Sequence, residues 1–435
     1  MKNRRERCLL ALCIALWPAL GVSAQSSSLN TYSPYTCYGI GDIRVQGPAI
    51  LRAMGGTGIG YRNAIQINSL NPASYSSVRS NSFLLNFDME GQNFYERSSQ
   101  AKTSFNTFNI RDISMAFPLS KRVGMSAGMT PYSSVGYRIQ SYDQSPDVLA
   151  NIGQVSNTYM GSGGVTQFKL GIGWEIFDGF SLGGEAIYYH GSIARSFSSV
   201  PTAITGSGSY QALAGQQTDD VNAFYGNFGL QWNVIANSKT LMTVGATYQM
   251  GGNMHNDVTT LVPVNSTLAS GSYVVNSTSK SGFSMPNRYG VGLFVHRIKY
   301  AFGADYEFAD WGTRNNADRT STLGFRNTNT VRLGGQYTPS PGDVRSVLRR
   351  WTYRAGLRFE QYYMVLNQTQ IDDMAFTCGL SIPLRMTGLS NVNLGAEIGQ
   401  RGTTRNNLVK ETYFKFTVGF SLFGEDYWFV KYKFD

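Results

Sequence analysis

The sequence predicts an all-β protein, a transmembrane antiparallel β-barrel of about 14 strands with an N-terminal plug inside the barrel. Three observations predict it. Apolar residues alternate with small or polar ones at a period of two over long stretches. Charged residues are only 15% of the chain and aromatics 13%, against a usual charged share of about 25%. Connections between the alternating stretches switch between short and long.

Residues 1–24 read as a cleavable export signal. Lys2, Arg4, Arg5 and Arg7 form a basic start, Cys8 to Leu20 is apolar, and Val22-Ser-Ala24 supplies the small residues that a signal peptidase reads. Only Glu6 opposes those four cations, so three of the ten net positive charges leave with the signal. After Gln25 no apolar run reaches the roughly 18 residues of a membrane-spanning helix.

Residues 25–80 lack strand periodicity and read as a plug. They hold Ala49-Ile-Leu-Arg-Ala-Met54, then Gly55-Gly-Thr-Gly-Ile-Gly60, and then Asn71-Pro-Ala-Ser74. A short helical turn followed by tight, glycine-permitted backbone suits that order. Alone, so short a segment would be marginally stable. Inside a barrel it finds walls to bury against.

Residues 81–435 read as the barrel. Phe168, Leu170, Ile172, Trp174 and Ile176 alternate with Lys169, Gly171, Gly173 and Glu175, and Phe414 to Leu422 repeats the pattern. Successive strand residues point to opposite faces, so each strand has one greasy and one small or polar face. A soluble sandwich shares this alternation. Strands near the 9–11 residues or so that cross the hydrocarbon favour the membrane. So do short turns at 119–122, 177–179, 236–239 and 296–299 opposite long connections at 140–163, 198–219, 256–284 and 311–327. Fourteen strands are expected within 81–423. Residues 427–435 would make an odd strand, and are assigned to a periplasmic tail.

Several chemistries are excluded or disfavoured. Basic residues form no run of five, so no nucleic-acid face is expected. Gly55 to Gly60 lacks the Lys-Ser/Thr of a phosphate loop. His190, His255 and His296 fall on separate strands, with no spacing that suggests a metal site. No cofactor, metal or enzymatic activity is expected. Cys37 and Cys378, on opposite sides of the wall, are expected to stay free. Asp88, Glu90, Glu175, Glu185, Asp305, Glu307, Glu360 and Glu397 share the lumen face with Arg332, Arg354, Arg358 and Lys415. Some of these carboxylates are expected to pair with Arg44, Arg52 and Arg62 of the plug.

Ala53-Met-Gly-Gly-Thr-Gly-Ile59 followed by Asn71-Pro-Ala-Ser74 resembles the N-terminal hatch of FadL-type outer-membrane barrels. Tyr353-Arg-Ala-Gly-Leu357, Gly399-Gln-Arg-Gly-Thr403 and Trp428-Phe-Val-Lys431 resemble the Bacteroidota branch of that family. The resemblance implies a fourteen-stranded, plugged barrel in the cell outer membrane and passage of small hydrophobic, fatty-acid-like molecules. Some relatives of that branch instead resemble subunits of envelope machines for barrel assembly or protein secretion. The expected partners are membrane lipid, a hydrophobic small molecule, envelope proteins and the outer-membrane assembly machinery. The hatch residues are Gly55, Gly56, Gly58, Asn71, Pro72 and Ala73. Pro131 removes a ladder donor within its strand and is the candidate wall defect for lateral exit.

Overall fold

A computed structural model of the chain describes residues 31–425, apart from 100, 203–211, 264–272, 282, 315–322, 344 and 385–388. The expected signal and the Tyr427–Phe434 strand lie outside the described residues. Fourteen wall strands follow one another: β1 Ser82–Arg97, β2 Lys102–Pro118, β3 Val123–Tyr142, β4 Gln154–Phe177, β5 Phe180–Thr202, β6 Leu213–Ala236 and β7 Thr240–Gln249. After them come β8 Arg288–Arg297, β9 Tyr300–Ala309, β10 Thr328–Tyr337, β11 Thr352–Leu366, β12 Thr369–Pro383, β13 Asn391–Arg401 and β14 Lys410–Glu425. Each pairs antiparallel with its neighbour, and β14 closes on β1 from Ser82↔Glu425 to Arg97↔Lys410. Closure leaves no free end to the sheet, which is how a β-structure satisfies its backbone in lipid.

The two faces follow the alternation. Phe168, Leu170, Ile172 and Trp174 of β4 are exposed, as are Phe302 of β9 and Phe416 of β14. Their neighbours Asp305, Gln167 and Thr417 are buried inward. An exposed apolar belt of this extent fits a surface that meets lipid. Among the described residues no helix is long and apolar enough to cross a membrane.

Three of the expected long connections are largely strand. β4 begins at Gln154 and β6 at Leu213, and the 256–284 region contains the paired strands His255–Pro263 and Tyr273–Ser281. The strand His255–Pro263 also pairs with β6 at 216–222, so the sheet continues beyond the apolar belt. Along β6 there, Asp219 and Val221 are buried while Asp220 and Asn222 are exposed, so the outward positions are polar and the greasy alternation that marks a membrane strand fades although the backbone pairing persists.

The ladder between β2 and β3 is short. It runs from Pro118↔Gly124 to Ile113↔Met129 and stops. β3 remains paired with β4 up to Tyr142↔Ser156, with a register shift between Pro131 and Ser133. The edge that β3 thereby exposes is taken by the N-terminal segment. Asp42 and Ile43 pair with Ser134 and Ser133. The Arg44 N–H donates to the Tyr132 carbonyl, and the Ser33 N–H to that of Gly136, both at 2.9 Å.

Candidate functional site

Residues 31–80 contact the inward faces of strands all around the wall. Near the long-connection end, Tyr35, Ile40, Tyr132, Tyr189, Trp311, Phe325, Tyr362 and Tyr363 form one buried aromatic layer. Arg195 of β5 donates to the carbonyls of Cys37 at 3.2 Å and Gly39 at 2.6 Å. Burial pushes the Cys37 thiol up to about 12, against the pull of Arg195. That direction favours the protonated, less nucleophilic thiol. Both cysteines are free.

The middle of the interior is ionic. The sequence places Ala49–Arg52 in one helical turn after Pro48, whose fixed φ suits a helix start. That turn aims Arg52 at β1. Its guanidinium reaches Glu90 at 2.7 Å and Asp88 at 3.3 Å, and the Ala49 N–H donates to Asp88 at 2.5 Å. Glu90 is also 3.4 Å from Arg111. Asp42 pairs with Arg401 at 2.7 Å, and Arg62 with Glu175 at 3.5 Å. Arg44 donates to Ser134 at 3.2 Å. Some lumen charges also hold the wall to itself, as Arg358 does with Glu397 at 2.8 Å. A cavity of about 90 Å³ lies among Arg44, Lys169, Arg288, Arg332, Glu307 and Glu360.

The glycine-rich run sits against β9 to β12. Gly55 and Gly56 have φ of +70° and +82°, which L side chains rarely adopt. The Gly55 N–H donates to Thr377 Oγ1 at 2.8 Å. Asp305 accepts from the Gly58 N–H at 2.6 Å and the Ile59 N–H at 2.9 Å. This carboxylate reads bare backbone, not a phosphate.

Asn71, Pro72 and Ala73 lie at the short-turn end against β4 to β7. The Asn71 side chain caps a 3₁₀ turn, Pro72–Ser77, by accepting from the Ala73 N–H at 3.1 Å. Its Nδ2 donates to the carbonyls of Ile59 at 2.9 Å and Leu230 at 3.1 Å. Asn71 therefore ties the two halves of the motif together and both to the wall. Pro131 is not part of this group. It lies on β3, two residues past the last pair with β2.

The wall's matching surface was missed in the sequence. Gly124, Gly173, Gly183 and Gly229 stand in direct register across β3 to β6. A Cβ at Gly183 would fall on the Pro72 carbonyl carbon, one at Gly124 on the Tyr75 oxygen, and one at Gly229 on Asn71 Oδ1. Residues 71–76 thus lie on a track of four glycines, backbone on backbone at Gly124, Gly173 and Gly183 and with the Asn71 side chain on Gly229. Gly334 and Gly356 do the same beneath Met54. Only the register reveals the row, because in each strand alone a glycine reads as one more small lumen residue. Gly183→Val is expected to unseat Pro72 while leaving the β5 ladder in place. Limited proteolysis of the reconstituted barrel should then cut within 60–80, where the parent protein resists.

Among the described residues no group of His, Cys, Asp and Glu could hold a metal ion. His296 lies near the end of β8, whereas His190 sits mid-strand in β5, its Nδ1 2.8 Å from the Asn222 amide oxygen.

Among solved structures, the fold is similar to a Pseudomonas aeruginosa FadL homologue. That match has 11% identity and a TM-score of 0.57, over 89% of this chain and 100% of that one. The P. putida toluene transporter TodX matches at 16% identity and a TM-score of 0.54, over 88% and 99%. The Ralstonia pickettii toluene transporter TbuX matches at 13% and 0.53, over 87% and 98%. At such identities the likeness is one of fold. No curated protein matches the chain. The model of the BamG family matches residues 7–435, nearly the whole sequence, and the chain belongs to the BamG family.

Proposed function

We propose that this barrel is a non-transporting subunit of an outer-membrane envelope machine, for protein assembly or secretion, with residues 25–80 as a plug that keeps its interior closed. The observation that carries this reading is the interior itself. A cavity in it of about 90 Å³ has Arg44, Lys169, Arg288, Arg332, Glu307 and Glu360 among its lining residues. A pocket for a small molecule is usually about 300–1,000 Å³ and mostly apolar. A hydrocarbon crossing this interior would have to displace paired charges. Membership of the BamG family accords with the machine reading.

Passage of small hydrophobic molecules is the second reading, favoured by one observation. Past Met129, among the described residues, the segment 33–46 covers the edge of β3, so its withdrawal would open the wall beside Pro131. Gly55, Gly56, Gly58, Asn71, Pro72 and Ala73 would then be the latch that such a movement must release.

Purification from native membranes in mild detergent separates the two. The machine reading expects envelope proteins in fixed stoichiometry on a gel and no enriched small hydrophobic compound by mass spectrometry. A barrel that purifies alone, loaded with fatty-acid-like molecules, would establish the transport reading instead.

A further inference from the structure

The short-turn end of the wall carries a basic surface that neither reading of the interior uses. Residues 338–351 join β10 to β11 there, at an end where turns as tight as 178–179 and 298–299 join other strands. Asp343 is followed in that segment by Arg345-Ser-Val-Leu-Arg-Arg350, and the neighbouring turn is Arg297-Ile-Lys299. Within these two stretches five cations meet a single carboxylate. Arg297, Lys299, Arg345 and Arg349 are exposed. Asp343 lies 3.5 Å from Arg349 and also accepts from the Arg345 N–H at 2.8 Å.

Two hydrogen bonds say where the segment lies. The Thr338 N–H donates to the Lys299 carbonyl at 2.8 Å, which draws the two basic stretches together. The Tyr353 hydroxyl donates to the Leu348 carbonyl at 3.2 Å. Tyr353 points outward with Leu357 and Phe359, so the 3₁₀ turn Leu348–Arg350 is held on the outer side of the wall. On that face Tyr300, Tyr337 and Tyr353 stand in direct register across β9 to β11. The first two rings stack, with centroids 4.7 Å apart. Tyrosines at the edge of an apolar belt mark the level of the lipid headgroups. Toward mid-wall the row gives way to Phe302 and Leu357. Toward the turns it is followed by Ile298, Val347 and Leu348, which are 63%, 42% and 57% exposed. Apolar tips interleaved with arginine and lysine are the composition of a surface that lies in a membrane interface.

We propose that residues 338–351 and the turn 297–299 bind an anionic phospholipid of the leaflet at the short-turn end. Arg345, Arg349 and Lys299 hold the phosphate oxygens, and the planar fork of an arginine matches two of them at once. Ile298 and Leu348 lie along the first carbons of the acyl chains, beside the tyrosine row. One carboxylate against five cations leaves the balancing charge for the lipid to supply. An acidic protein would also complement that charge, but it does not account for three apolar tips on the outer face at headgroup level. The assignment goes beyond the reading of the interior, and holds for a machine subunit and a transporter alike.

The test loads the full-length protein, in mild detergent, with phosphatidylglycerol or with phosphatidylcholine, and counts retained lipids by native mass spectrometry. Each basic residue close to the headgroups contributes roughly fivefold. The parent protein should therefore retain phosphatidylglycerol at least about tenfold more tightly, a preference that fades with added salt. The combined change Arg345→Gln, Arg349→Gln and Lys299→Gln should erase the preference and leave phosphatidylcholine retention as it was. Lys121→Gln with Lys239→Gln, on other turns at the same end, should leave the preference within about twofold of the parent. Equal retention of the two lipids by the parent, or an unchanged preference in the triple variant, would overturn the inference. So would an equal loss in the Lys121 and Lys239 control, which would mean that any positive charge at this end serves. Inorganic phosphate that displaces phosphatidylglycerol beyond what sodium chloride does at equal ionic strength would reduce the site to one for a free anion. A photoreactive phenylalanine analogue in place of Leu348 separates lipid from protein in intact cells. It should attach to lipid, and attachment to one polypeptide would assign the face to a protein partner instead. If the triple variant folds poorly, Lys299→Gln alone still decides, with an expected loss of about fivefold.

Discussion

Arg52→Ala should cost about 3–5 kcal/mol of stability, since removing one partner of a buried pair strands the other charges. Arg52 is 5% exposed and sits between Asp88 and Glu90, themselves 2% and 5% exposed. Glu90 keeps Arg111, and Asp88 keeps the Ala49 N–H, which places the loss toward the lower end. Urea unfolding of the detergent-folded barrel measures it. The same variant should become cleavable within residues 31–80. Arg79→Ala is the contrasting change. Its pair with Glu425 is 3.7 Å long and about half exposed on both sides, and exposed pairs contribute roughly 0–1 kcal/mol. Equal effects from the two variants would mean that Arg52 does not hold the segment.

Phe302→Arg should lower stability by up to about 2–4 kcal/mol, the cost that a cation on the lipid face reaches at mid-bilayer and that falls toward the interfaces. Gln140→Arg lies on the part of β3 beyond the apolar belt, and should stay within about 0.5 kcal/mol of the parent. The measurement is the folded fraction after refolding into lipid vesicles, read from the heat-dependent shift on a gel. Tolerance of Phe302→Arg would mean the greasy face is not in lipid. An inward position is a poor neutral control here. Thr417 is buried, with Oγ1 3.3 Å from Glu90. A Cβ at Gly379 would press on the Ala53 methyl at 2.8 Å. Arginine at either site would collide with a packed interior, so Thr417→Arg should damage folding too.

The wall was legible because its apolar alternation is strong wherever one face meets lipid. Fourteen strands within 81–425 agree with the expectation, as does the lipid-side position of Cys378. The strand extensions were not legible. From Gln154 to Gly163 and from Leu213 to Asp219 the outward positions are mostly polar, and period two carries no apolar signature. Asn71-Pro72-Ala73 stood out as a turn motif, and Arg52 and Arg62 as cations awaiting carboxylates. What they pack on was hidden. Gly124, Gly173, Gly183 and Gly229 are far apart in the chain, and only the wall's register lines them up. The parting of β2 from β3 after Met129 was not legible, and nothing in the sequence says that residues 33–44 pair along the β3 edge.

The central claim is that the interior is closed by the N-terminal segment and conducts nothing. Ionic conductance of the purified full-length protein in a planar lipid bilayer tests it most directly. The account predicts no resolvable current steps from the parent protein, and the appearance of steps in Arg52→Ala or Gly183→Val as the segment loosens. Steady, long-lived conductance from the parent protein would contradict it.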